Sequence, residues 1–215
     1  MPDPRDFILG FDPGGKGNFG WSICEVVGGN LQSRVETGLA NDAWDAINKI
    51  EKAIKAISDN STVLAAGIDA PLFWSRTGNR RADTVLRKAL KDIQFPTPSG
   101  TVQAINSLRG ACVVQGPLLV RHLSDRWDPS ISESHPKALD HLLHRAERPE
   151  HDMVDMVDRL TAGLADHQRD ATLSAVSAWA AIHHKNLRGW QNLYNLECCP
   201  IRPFDIPVSY WMPVS

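Results

Sequence analysis

The sequence predicts a single α/β domain built around a mixed sheet. Short apolar runs suited to strands fill the first third of the chain, and helical spacing of apolar residues dominates the second half. Hairpin-linked strands followed by a helix, a further strand and more helices are typical of a sheet with parallel and antiparallel pairs. At 215 residues the chain fits one domain, so we expect residues 1–215 to form it, with helices on both faces of the sheet.

Apolar runs bounded by turn residues indicate the strands. We predict four of them in the first third of the chain, at residues 7–12, 19–27, 31–37 and 63–71. Gly28-Gly29 is a hairpin signal between the second and third strands. The fourth strand is apolar enough for the centre of a sheet and stops at Pro71.

The helices follow from apolar residues at helical spacing. The first is expected at residues 42–58, where isoleucines recur and Asp42 is a plausible cap. A basic helix is expected at 80–92, and the chain from 94 to 127 is irregular, so we interpret it as an insertion or lid between the fourth and fifth strands. The remaining elements are a fifth strand at 129–134 and helices at 136–147, 153–166 and 168–185. The end of the chain, 187–215, is rich in proline and aromatic residues and is expected to wrap over the surface.

Composition excludes several classes of protein. The net charge of −2 gives no overall attraction to nucleic acid, so binding a polyanion would require a local basic patch or bound cations. No apolar run is long enough to cross a bilayer, and the N-terminus does not resemble a signal peptide. The four cysteines form no C-x-x-C pair, which favours a reduced, cytoplasmic protein over a zinc or disulfide scaffold.

The stretch GFDPGGKGNFGW, at 10–21, has two interpretations. It comes close to a phosphate-binding P-loop, but that loop needs Ser or Thr after Lys16, and Gly17 stands there. The alternative is a strand that ends at Asp12 and a glycine turn into the next strand. These residues alone leave both interpretations open.

Four acidic residues stand where an apolar element begins or ends: Asp12, Asp69, Glu133 and Asp170. Each has an ordinary explanation, because aspartate before proline forms turns, and an acid favours a helix N-terminus or pairs with arginine. Together they indicate more. Neighbouring first and fourth strands would bring two carboxylates side by side, where they repel each other unless a cation or a shared proton compensates. A hard divalent cation with oxygen ligands is the usual solution. The helix that Asp170 opens has a face of small residues, which would let it lie close to the sheet.

These motifs resemble a widespread family of predicted nucleases with a ribonuclease H-like fold. The resemblance covers residues 7–185 and includes G-F-D-P, G-I-D-A-P, E-S-H-P and FPTP in that family's arrangement, with GIDAPLFWSRTGNRRADTVLRK leading into an arginine-rich helix. HQRDA at 167–171 is also similar to the H-x-x-D-A of Holliday-junction resolvases in the same superfamily. The chain departs from the family pattern at Lys137, where an acid is frequent, and at Arg169.

The resemblance implies two-metal phosphodiester chemistry. It favours the interpretation of residues 10–21 in which the glycines form a turn, Asp12 carries the chemistry and Lys16 contacts a phosphate. Asp12 would bridge two Mg²⁺ or Mn²⁺ ions about 3.5–4 Å apart. Asp69, Glu133 and Asp170 would complete the ligand sets, and His135 or His167 would move protons. The substrate would be nucleic acid or another phosphodiester, and a homodimer is compatible with the sequence.

Basic residues around the predicted second helix have two interpretations. Arg76, Arg80, Arg81 and Arg87 would bind backbone phosphates beside the acidic site, or they would form an ordinary solvated helix face. Two other functions also stay open. One is a non-catalytic ribonuclease H-like module that binds a partner. The other is a phosphotransferase of the actin and sugar-kinase class, which needs a second glycine-rich hairpin and usually a duplicated domain.

Overall fold

The computed structural model describes residues 5–75, 80–103, 110–145 and 151–214. Their strands are β1 Arg5–Asp12, β2 Phe19–Val27, β3 Asn30–Ala40, β4 Ser61–Ile68, β5 Trp74–Ser75, β6 Ser130–Glu133, β7 Trp190–Asn192, β8 Pro200–Ile201, β9 Val208–Ser209 and β10 Trp211–Pro213. Their α-helices are α1 Ala43–Ile57, α2 Arg81–Asp92, α3 Pro98–Thr101, α4 Gly110–Arg126, α5 Pro136–Arg145, α6 His151–Thr161 and α7 Asp166–His183. None of these helices combines the length and the apolar character needed to cross a membrane.

The central feature is a six-stranded sheet in the order β3-β2-β1-β4-β6-β9. The first three strands pair antiparallel, and β4, β6 and β9 continue parallel to β1. The predicted mixed α/β, ribonuclease H-like fold is therefore confirmed. Because β1 and β4 run side by side in parallel, their carboxyl ends lie at the same edge of the sheet, where the backbone N–H of Asp69 donates to the Phe11 carbonyl over 2.9 Å.

Strand β1 is buried on both faces. Phe7, Ile8, Leu9 and Phe11 are all fully buried, although successive side chains of a strand point to opposite faces. Helix α7 contacts β1, β2 and β4, and α1 contacts β2 and β3. The first helix is found close to its predicted bounds, and its N-cap Asp42 accepts a hydrogen bond from the Asp45 N–H over 2.8 Å.

Helix α7 lies against a row of glycines on three adjacent strands. A Cβ atom on Gly10, Gly20 or Gly67 would come within 1.8, 2.0 and 1.7 Å of carbonyl oxygens of α7, at Ala171, His167 and Ser174 respectively. The side chains of α7 that face the sheet are small, and Ser174 and Ser177 among them are fully buried. This close approach brings the first turns of α7 to the sheet edge where β1 and β4 end.

The segment between β4 and β6 contains more regular structure than its sequence pattern predicted. Residues 110–126 form the 17-residue helix α4, which packs on α1. The Ala43 N–H donates to Gln115 Oε1 over 3.0 Å, at the start of α1. The sequence did not predict α4, because apolar residues lie on both of its faces and leave no helical spacing of apolar positions. Leu119 and Leu123 are buried, whereas Val114 is exposed. Pro117 inside the helix also argued against it.

The last part of the chain enters the core as well as covering the surface. Strand β9 pairs with β6 and forms one edge of the main sheet. Leu193, Tyr210 and Met212 are fully buried. The tail therefore supports the elements that end at the carboxylate edge.

Candidate functional site

A cavity of about 550 Å³ lies at the edge where β1 and β4 end. Of the six residues predicted to be catalytic, all except Glu133 line it. These are Asp12, Asp69, His135, His167 and Asp170. The remaining wall includes Lys137, Asp166, Thr97, Thr101 and Gln103. The structure thus brings together residues that are far apart in the chain.

Asp12 follows directly from the buried part of β1 and meets the start of α7. His167 Nδ1 lies 2.6 Å from Asp12 Oδ2. Burial raises the pKa of Asp12, and the hydrogen bond and charge of His167 partly offset that effect. The His167 side chain remains 42% exposed, so the imidazole connects the carboxylate with the solvent.

Asp69 stands one residue beyond β4, beside Asp12. Burial raises its pKa well above the ordinary value, and the charges of Asp12 and Asp170 raise it further. The three carboxyl groups line the same cavity, close enough for their charges to affect one another.

Asp170 lies in the second turn of α7 and is only 6% exposed. Burial raises its pKa to about 6, and Lys137 opposes this shift. The Lys137 Nζ atom lies 3.6 Å from Asp170 Oδ2. The lysine that departs from the family pattern therefore supplies positive charge inside the cavity.

Glu133 ends β6 and is fully buried, but its partner is Arg80. Its Oε1 lies 2.7 Å from Arg80 Nη2, and its Oε2 accepts from Arg80 Nη1 over 2.9 Å and from the Leu72 N–H over 2.8 Å. Asp83 binds the same guanidinium, with 2.6 Å between Oδ1 and Nη2. Burial raises the pKa of Glu133 to about 6 against the opposing charge of Arg80. Both hydrogen bonds go to Oε2, whereas Oε1 is in ion-pair contact with Arg80 and has no hydrogen-bond partner among the described residues. Glu133 therefore lies in the Arg80 cluster and not in the cavity lining, and the metal-ligand role that the resemblance implied for it stays a prediction.

The predicted phosphate-binding residues have different surroundings. Arg80 is 3% exposed inside the ion-pair cluster with Glu133, which does not suit contact with a polyanion. Arg87 is half-buried and donates to the Val102 carbonyl over 3.1 Å. Arg81 and Lys16 are exposed. Arg76 lies outside the described residues.

Tyr210 is a site residue that the sequence did not reveal. Its hydroxyl lies 2.7 Å from His135 Nδ1, and its ring is fully buried. Desolvation lowers the pKa of His135 to about 4. The sequence carried no usable signal for it, because in VSYWM at 208–212 only Ser209 is polar and no alternation is visible.

The fit of a metal ion is mixed. Among the described residues, no group of three or more His, Cys, Asp or Glu side chains is arranged to hold a metal ion. The Asp12 carboxylate is bonded to His167, and Asp170 is near Lys137. The chemistry of Asp12, Asp69 and Asp170 nevertheless suits a hard divalent cation, because each supplies carboxylate oxygens and their mutual repulsion would be relieved by positive charge.

Comparison with known proteins places the chain in a family. A family model described as a protein of unknown function (DUF429) matches residues 10–189. The match includes all the strands and helices that present the cavity, except the first residues of β1 and the tail that carries Tyr210. No curated protein and no solved structure matches the chain.

Proposed function

We propose that this chain, which belongs to the DUF429 family of proteins of unknown function, is a divalent-metal-dependent phosphodiesterase that cleaves nucleic acid. The observation that carries the proposal is the convergence of Asp12, Asp69 and Asp170 in one cavity at the carboxyl ends of adjacent parallel strands. Their resemblance to the motifs of predicted nucleases with a ribonuclease H-like fold points the same way.

Asp12, Asp69 and Asp170 would hold Mg²⁺ or Mn²⁺. Bound there, the ion would activate a water molecule and stabilise charge on the leaving oxygen of a phosphodiester. The burial and repulsion that raise the pKa of Asp69 and Asp170 favour a cation in the cavity. Glu133 would contribute indirectly, because its ion pair with Arg80 holds the end of β6 in place beside the cavity.

The other residues of the cavity could transfer protons and bind phosphate. His167 bonds Asp12 through Nδ1 while its side chain remains partly exposed, so it is placed to orient that carboxylate and exchange a proton with solvent. Lys137 is 62% exposed near Asp170 and would attract a phosphate oxygen. Thr97, Thr101 and Gln103 also line the cavity and offer polar groups for the sugar-phosphate backbone.

Mn²⁺ binding measured by calorimetry tests the proposal without a choice of substrate. Wild-type protein is expected to bind Mn²⁺ and the Asp12→Asn variant to lose binding. Asp155→Asn is the matched control, since this exposed aspartate of α6 lies outside the cavity lining and its substitution removes the same charge. Hydrolysis of single-stranded, duplex and branched DNA and RNA with Mn²⁺ should then be lost in Asp12→Asn and kept in Asp155→Asn. Equal binding by all three proteins, or equal turnover, would remove Asp12 from the site.

A non-catalytic binding module is the second candidate, and the internal charge pairing favours it. His167 forms a hydrogen bond with Asp12, and the positive charge of Lys137 lies near Asp170, so two of the three carboxylates already have partners within the protein. In that case neither wild type nor Asp12→Asn would bind Mn²⁺ or cleave any nucleic acid, with or without substrate present to complete the metal site.

A further inference from the structure

The buried Tyr210 and the half-buried His135 form a pair at the side of the cavity. The Tyr210 oxygen lies 2.7 Å from His135 Nδ1, and the two rings stack with centroids 5.5 Å apart. His135 lines the cavity together with Asp12 and Asp69. Since Nδ1 is engaged by the tyrosine, Nε2 is the ring nitrogen that remains for a molecule in the cavity.

The position of Tyr210 is fixed from several sides. Strand β9 runs parallel to β6, which leads into His135, and Ser132 is in register with Ser209. The Tyr210 N–H donates to Asn192 Oδ1 over 2.9 Å, and its carbonyl accepts from the Leu193 N–H over 2.7 Å. Its ring also lies against Phe73, with centroids 6.3 Å apart. These contacts fix the ring, so the hydroxyl has little freedom to form a hydrogen bond with a different group.

The direction of the hydrogen bond follows from burial. A fully buried hydroxyl must donate its proton to an acceptor to avoid a large desolvation cost. Among the described residues, the acceptor that the structure gives this hydroxyl is His135 Nδ1. Burial raises the pKa of Tyr210 well above its ordinary value, so the hydroxyl keeps its proton. A neutral imidazole that accepts at Nδ1 carries its own proton on Nε2.

We infer that Tyr210 is a positioning residue that holds His135 as the neutral tautomer protonated at Nε2, so that Nε2–H donates a hydrogen bond to a phosphoryl oxygen of the substrate. The identity of the acceptor rests on the proposed function, whereas the tautomer does not. His135 is then a hydrogen-bond donor toward an anionic oxygen and is not the general base of the reaction.

The tautomer can be read directly by NMR. In protein labelled with ¹⁵N-histidine, long-range proton–nitrogen correlations at pH 7 distinguish the two neutral forms, and the His135 signal is assigned by its loss in His135→Gln. Wild type is expected to show the Nε2–H form alone. Tyr210→Phe, which removes one hydroxyl, should show a mixture of the two forms. Tyr194→Phe is the matched control, because this second tail tyrosine also packs on Phe73, and it should leave the His135 signal unchanged.

Two results would overturn the tautomer: an Nδ1–H form in wild type, or an unchanged His135 signal in Tyr210→Phe.

Turnover tests the role of His135 as a hydrogen-bond donor. With Mn²⁺ and a nucleic acid that wild type cleaves, Tyr210→Phe should lower kcat about tenfold at unchanged KM. The double variant with His135→Gln should be no slower than His135→Gln alone. Full turnover in Tyr210→Phe would refute the donor role, and absence of any cleavage by wild type would refute the proposed function and leave the spectrum to decide the tautomer.

Discussion

Asp69 lies among like charges, and among the described basic side chains Lys137 is the one whose charge opposes the rise in its pKa. Burial and the charges of Asp12 and Asp170 raise its pKa well above the ordinary value. The folded protein therefore binds a proton at Asp69 more tightly than the unfolded chain does. Such a group lowers the free energy of unfolding as pH rises from the ordinary aspartate range to the raised pKa, and the loss is constant at higher pH.

Asp69→Asn should therefore stabilise the metal-free protein. The gain in the free energy of unfolding should be absent below the ordinary pKa of aspartate and should grow as pH rises toward neutrality. Urea unfolding in EDTA at pH 3.5 and pH 7.5 measures it. Asp155→Asn should show no comparable gain, and Mn²⁺ should raise the stability of wild type but not of Asp69→Asn. Equal stability of wild type and Asp69→Asn at pH 7.5 would contradict the electrostatic account.

At the residue scale, the sequence predicted the carboxylates but not their partners. Asp12, Asp69 and Asp170 stood at the ends of recognisable elements, so their convergence followed from strand order. The pairing of Glu133 with Arg80 did not, because the two residues are 53 positions apart and no local pattern links them. Tyr210 was missed for the same reason.

The contact between α7 and the sheet sets the geometry of the site at the element scale. Gly10 and Gly67 are paired across β1 and β4, and each faces a carbonyl oxygen of α7. A side chain at either position would force the helix away. The helix carries His167 and Asp170, so its height above the sheet controls how these residues meet Asp12.

Gly67→Ala should destabilise the protein by about 3 kcal/mol or more, at the upper end for added volume in a packed core. Its new Cβ would come within 1.7 Å of the Ser174 carbonyl oxygen, which is backbone and cannot rotate away. Chemical unfolding measures the loss, and Mn²⁺ binding should weaken in the same variant. In Gly15→Ala the added Cβ meets no atom within 4 Å, so stability should change by less than about 1 kcal/mol. Similar stabilities for the two variants would show that α7 does not depend on close contact.

Elements with a clear period were predicted well, and the others were not. The strands β1, β2 and β4 and the helix α1 have long apolar patterns, and the structure has them near the predicted residues. Helix α4 has apolar residues on its exposed face, so it lacked a helical stripe. Strand β9 has two residues, too few for any period to be visible.

At the scale of the whole molecule, the domain depends on chain beyond the family match. That match ends at residue 189, whereas β9 forms an edge of the main sheet and Leu193, Tyr210 and Met212 are fully buried. Full burial of one such side chain contributes about 1.5–3 kcal/mol. A domain of this size is stable by only about 5–15 kcal/mol.

Truncation after Gly189 should therefore abolish cooperative unfolding or lower the midpoint strongly. Thermal unfolding followed by circular dichroism checks this result. Truncation after Pro213 removes no fully buried residue of the described chain and should leave a midpoint close to that of the full chain. A truncation at Gly189 that unfolds like the full chain would show that the tail is dispensable for the fold.

The deep burial of the central elements also has a consequence for motion. Proteins open locally from their least buried parts, and amide hydrogen exchange is slowest where burial is greatest. The carboxylates are attached to β1, β4 and α7, whose interiors are almost fully buried, whereas α3 beside the cavity buries no residue. Local opening is therefore expected in the α3 wall of the cavity, while the three acids keep their spacing.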